Sequence, residues 1–130
     1  MVQRLATVTL VVDEYDEAIA HYVRVIGFTL FEDTALGAGK RWVRVGPTGG
    51  GCHFLLAQAD GEVQRAAIGG QTGGRVGFFI ETDDFDVDHA AMKARGVDFR
   101  EEPRNESYGK VAVFADCYGN LFDLIQPARP

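Results

Sequence analysis

Val8-Thr9-Leu10-Val11-Val12-Asp13 returns 68 residues later as Val76-Gly77-Phe78-Phe79-Ile80-Glu81, and this recurrence organises the rest of the chain. Tyr15-Asp16 then matches Phe85-Asp86 at an offset of 70. Each copy runs on into a helix-like segment, Asp16 to Tyr22 and Asp86 to Met92. Each then reaches a glycine followed by an aromatic-bearing strand, Gly27-Phe28-Thr29-Leu30 and Gly96-Val97-Asp98-Phe99. A fixed internal period is the sign of a duplicated unit. The repeated β-branched and aromatic runs read as strands. Asp16, and Asp84 or Asp86, read as helix N-caps, with further acids in the first turn favouring the helix dipole. Ala18, Ile19, Tyr22, Val25 and Ile26 form one apolar stripe at helical spacing. Ala90, Ala91 and Met92 supply a thinner one in the second helix. Gly27 and Gly96 suit the left-handed position that ends a helix.

Further strands follow each helix. Thr29 to Glu32, Arg41 to Val45 and His53 to Gln58 belong to the first half, and Phe99 to Glu101, Lys110 to Ala115 and Asn120 to Gln126 to the second. Gly46 to Gly51 reads as a turn. Gly61 to Gly74 holds five glycines and few large apolar residues, with a short helical turn at Val63 to Ala67, and reads as a connector. The pattern is βαβββ, connector, βαβββ: one domain over 1–130, with module one at 1–60, a linker at 61–73 and module two at 74–130. Glu101, Glu102, Arg104, Asn105 and Glu106 read as a charged, solvated loop leading to Tyr108.

The 130 residues are 46% hydrophobic and 25% charged, an ordinary globular composition. Thirteen basic against nineteen acidic side chains give a net charge of −6. That balance argues against nucleic acid and against anionic membrane surfaces as partners, since both need a basic patch. The apolar run Val8 to Val12 ends at Asp13-Glu14, too short for a secretory leader or a membrane span. Cys52 and Cys117 are too few for a disulfide framework and read as free thiols of a cytoplasmic protein. Gly49-Gly50-Gly51 and Gly69-Gly70 lack the strand–loop–helix context of a phosphate loop. Cys52 and His53 are adjacent on a strand and point to opposite faces, so they do not form a catalytic couple.

Three segments resemble the vicinal oxygen chelate superfamily, which includes glyoxalase I, bleomycin-resistance proteins and extradiol dioxygenases. They are Val8 to Tyr22 running on to Ile26-Gly27-Phe28, Gly74 to Phe78, and Phe114-Ala115-Asp116-Cys117-Tyr118-Gly119-Asn120-Leu121-Phe122-Asp123-Leu124-Ile125. The resemblance implies an α+β fold in which two βαβββ modules form an open barrel-like cup with helices outside. It also implies a small-molecule ligand inside the cup, and a homodimer. Metal-dependent members carry their ligands at positions matching Thr7, Leu55, Arg75 and Asp123. Here threonine is a poor ligand, leucine is none, and arginine brings a permanent positive charge. One aspartate does not meet the three protein ligands a catalytic metal normally takes. The expectation is therefore a binding protein without metal or other cofactor, with a pocket lined by Thr7, Trp42, His53, Leu55, Arg75 and Asp123. The alternative is a glyoxalase-type lyase or isomerase, or a dioxygenase, using a non-standard site around His53 and Asp123. Strand alternation places Trp42 and Arg44 on the cup face and Arg41, Val43 and Val45 on the reverse. The resemblance implies that Arg75 and Asp123 face each other across the mouth or floor of the cup, either paired or with Arg75 free to anchor an anionic ligand.

Overall fold

The structure, a computed structural model, describes residues 1–129. Contacts divide it into two compact units, Met1–Gln71 and the chain from Thr72 onward.

The first unit contains β1 (Thr7–Val12), α1 (Tyr15–Ala20), β2 (Thr29–Gly37), β3 (Lys40–Gly46), β4 (His53–Gln58) and α2 (Glu62–Ala67). Its sheet runs β1-β4-β3-β2, with β1 parallel to β4 and the other pairs antiparallel. Leu10, Val12, Val43, Val45, Phe54 and Leu56 are buried on one face of this sheet. Tyr22, fully buried, meets Phe54 edge-on and packs against Phe28. The cap of α1 is Glu14 rather than Asp16: the Glu14 carboxylate accepts the Asp16 and Glu17 amides. Asp16 is thereby released to pair with Arg41, which also pairs with Asp33 and lies over the Tyr15 ring. Beyond Ala20 the helix widens into a π-helical segment, His21–Ile26. It stops at Gly27 (φ 96°), where the Gly27 and Phe28 amides both reach the Tyr22 carbonyl. β2 extends five residues past the expected Glu32. It is an edge strand exposed on both faces over that stretch, so no apolar alternation marks it.

The second unit contains β5 (Val76–Glu81), α3 (Phe85–Ala94), β6 (Asp98–Phe99), β7 (Arg104–Glu106), β8 (Gly109–Ala115) and β9 (Leu121–Pro127). Its sheet runs β5-β9-β8-β6, with β7 also on β8. Asp84 caps α3 by accepting the Val87 amide, and Gly96 (φ 98°) follows its end. The face α3 turns inward is Phe85, His89 and Met92 at helical spacing; Ala90 and Ala91 are exposed. His89 lies between the rings of Phe85 and Phe99. The charged segment before Tyr108 is also not a free loop. Arg104–Glu106 pairs with Val111–Gly109 as a hairpin strand, and the preceding strand shrinks to Asp98–Phe99. Its charges obscured a strand that hydrogen bonds to β8 alone defined. No helix among the described residues is long and apolar enough to cross a membrane.

Candidate functional site

In the first unit the face opposite the buried one carries the chemistry. Register places Thr7 beside His53, Thr9 beside Leu55 and Val11 beside Ala57. Arg44 pairs with Leu55 on the other side. Strand alternation adds Trp42, which is 40% exposed. Arg41, Val43 and Val45 point the other way, as expected. Thr7, Trp42, His53 and Leu55 therefore share one sheet face.

A bulge between Leu30 and Glu32 breaks the alternation of β2. Two consecutive residues, Phe31 and Glu32, then serve this same face. Phe31 stacks on the His53 ring with centroids 4.2 Å apart and planes 6° from parallel. Glu32 accepts the Arg44 Nε–H at 3.0 Å, and Arg44 Nη1 lies 2.8 Å from His53 Nδ1. Gly46 makes room beneath: a Cβ there would come 2.7 Å from His53 Cδ2. Burial, together with the charges of Arg44 and Arg4, holds the His53 pKa below its ordinary value of 6.5. Phe31, Glu32 and Gly46 were not singled out from the sequence. The only local signal was an aromatic next to an acid in a strand, which is common.

In the second unit β9 holds Asp123 between Phe79 of β5 and Val113 of β8. Asp123 Oδ1 is shielded and has no hydrogen-bond partner. Burial raises this carboxyl's pKa, the Arg104 charge lowers it and the Glu101 charge raises it. Arg104 is itself held by Glu101 and Glu106. Arg75 sits in an exposed bend before β5, four residues upstream of the Phe79 that flanks Asp123. That is roughly 10–13 Å of extended chain, and among the described residues Arg75 makes no ion pair with Asp123. Of the two expected arrangements the pair is not formed, and the positive charge acting on the Asp123 carboxyl is that of Arg104. The bulge between Val76 and Phe78, which shifts the register of β5 against β9, was not visible in the sequence.

The donor set does not fit the metal implied by the resemblance. Thr7 and Leu55 offer one weak donor and none. The one well-placed carboxylate is flanked by apolar side chains that favour its uncharged form. Among the described residues no three of His, Cys, Asp and Glu gather as a ligand group. What the first face can do is bind: it combines exposed aromatic surface with a few fixed polar groups.

Residues 4–124 match the family described as the Glyoxalase/Bleomycin resistance protein/Dioxygenase superfamily. An uncharacterized protein of Shewanella frigidimarina (strain NCIMB 400) is 48% identical over 128 residues, spanning 97% of this chain and 95% of that protein. The crystal structure of UcmS2 is similar with a TM-score of 0.82 at 29% identity, over 96% of this chain and 98% of that one. TnmS3, an antibiotic binding protein from Streptomyces sp. CB03234, is similar with a TM-score of 0.77 at 29% identity, over 98% of both chains.

Proposed function

The chain belongs to the Glyoxalase/Bleomycin resistance protein/Dioxygenase superfamily, and from that membership we propose that it binds a small organic ligand, of the kind sequestered in antibiotic resistance, without a metal or cofactor. The observation that carries this reading is the sheet face that joins Thr7, Trp42, His53 and Leu55, with the Phe31–His53 stack beside them. Flat apolar surface with sparse, fixed polar groups suits an aromatic ligand. The likeness to TnmS3, described as antibiotic binding, supports the ligand class. The protein acts as a homodimer in the cytoplasm.

Trp42 is the sole tryptophan, so intrinsic fluorescence reports on this face directly. Titration with a panel of aromatic antibiotics is expected to quench or shift that emission and to raise the melting temperature. Saturation at about 100 times Kd stabilises by about 2.7 kcal/mol. A panel that leaves both signals unchanged overturns the reading. Elemental analysis of protein purified without chelator is expected to find well below one metal per chain. Light scattering is expected to give twice the 14.2 kDa of the chain.

A second reading is favoured by the shielded, unpartnered Asp123 oxygen and its raised pKa, which suit proton transfer. On it the protein is a glyoxalase-type lyase or isomerase, or a dioxygenase, with Asp123 as the group that transfers the proton. Stoichiometric metal, or turnover lost in Asp123→Asn with ligand binding intact, would decide for it.

A further inference from the structure

The His53 ring is confined on three sides. Phe31 covers one face at 4.2 Å. Gly46 leaves no space for a side chain against Cδ2. Arg44 Nη1 stands 2.8 Å from Nδ1, itself tied to Glu32. A guanidinium has only donors and does not give up its proton. Nδ1 must therefore accept, and the ring hydrogen resides on Nε2. Protonating Nδ1 would set N–H against N–H and forfeit the bond. No described residue bonds to Nε2.

We propose that His53 is the fixed hydrogen-bond donor of the binding face, presenting Nε2–H, and that it selects aromatic ligands bearing an oxygen acceptor (a carbonyl, phenolate or carboxylate) over those bearing a protonated amine. This rests on the binding function proposed above and adds the polarity of the ligand. Arg44 from β3 and Arg4 from the segment before β1 are the charges acting on the ring, and Glu32 from β2 is engaged by Arg44. The site thus faces its ligand with donors and positive charge. An oxygen lone pair is satisfied there; an ammonium group meets N–H and like charge, and leaves a donor unpaired. Burial and the same cations favour the neutral imidazole, so the donor geometry does not depend on His53 carrying charge.

The test has two readouts on the full chain. Long-range nitrogen–proton NMR of the ligand-free protein, with His53 assigned by its loss in His53→Phe, reads the tautomer of the neutral ring at about pH 8. The expected result is a single Nε2–H form. In Arg44→Leu the tautomers mix and the titration midpoint moves up; should that variant not fold, the wild-type tautomer still decides. Naphthoate and naphthylmethylammonium, with the same ring system and opposite head groups, are then titrated against the Trp42 emission and the His53 resonances. Naphthoate is expected to bind at least about tenfold more tightly, roughly 1.4 kcal/mol, and His53→Phe, which keeps the stack and deletes the Nε2–H donor while leaving Arg44 and Arg4 in place, is expected to narrow that preference. A proton on Nδ1 overturns the donor assignment. Equal or tighter binding of the ammonium overturns the selectivity. An Nε2–H tautomer with neither probe reaching His53 overturns the binding function and leaves the donor geometry standing.

Discussion

Asp116→Ala is expected to destabilise the second unit by about 3–5 kcal/mol. Asp116 is 5% exposed and ties the turn between β8 and β9. Its Oδ1 accepts the Tyr118 amide at 2.9 Å and the Asn120 amide at 2.8 Å, and its Oδ2 accepts Asn120 Nδ2 at 2.8 Å. Alanine removes both acceptor oxygens and with them all three hydrogen bonds. Tyr118 is half-buried, so its amide can recover a water. Asn120 is 4% exposed, so its two donors are stranded, at about 1–3 kcal/mol for each unsatisfied group. Asp116→Asn keeps one oxygen for the two amides but sets an NH2 group against Asn120 Nδ2, and is expected to cost only about 1–2 kcal/mol. Denaturant unfolding measures both, with an unchanged m-value marking a true loss of stability. A cost below about 1 kcal/mol for Asp116→Ala, or equal costs for the two variants, would refute the reasoning. The turn matters to the site because it sets the start, and so the register, of the strand that carries Asp123.

Gly109→Ala is expected to be strongly destabilising, by about 2 kcal/mol or more: Gly109 has φ 149°, and a Cβ there would strike the Gln126 carbonyl oxygen and approach Pro127 Cα at 3.0 Å. A thermal melt within 1–2 °C of wild type contradicts this, since about 1 kcal/mol moves a domain of this size by several degrees. Asp123 holds its proton more tightly folded than unfolded, because burial raises its pKa above 3.8. Its ionised form therefore opposes folding at neutral pH, and the penalty disappears as pH falls through the raised value. Asp123→Asn should leave neutral-pH stability unchanged or higher and abolish that acid-side gain; a lower melting temperature at neutral pH argues the reverse. Gln71 covers the open edge of β1, accepting the Val11 amide at 2.9 Å and donating to the Thr9 carbonyl at 2.6 Å. Gln71→Ala should speed hydrogen exchange at Val11 while leaving Leu10 and Val12 protected, and unchanged exchange at Val11 would exclude that role.

The order of elements was legible because it rests on local chemistry. The recurrence of Val8–Asp13 at Val76–Glu81, the acid-rich helix starts and the left-handed stops at Gly27 and Gly96 all follow from a few consecutive residues. Period-two alternation was enough to put Trp42, Arg44, His53 and Leu55 on one face and Val43 and Val45 on the other. It failed where pairing between distant strands overrides the local period. The bulge in β2 brings Phe31 and Glu32 to the same face, and the bulge in β5 shifts its register against β9, the strand that carries Asp123. The strand at Arg104–Glu106 exists only through its bonds to β8, and it brings the arginine whose charge acts on Asp123. Strand register is a property of two segments at once, and a one-residue slip exchanges every side chain between faces. Strand alternation and the family resemblance could therefore nominate His53 and Asp123, but the burial that chiefly shifts their protonation, and the charges of Arg44 and Arg104 that act beside it, were decided by the tertiary pairing.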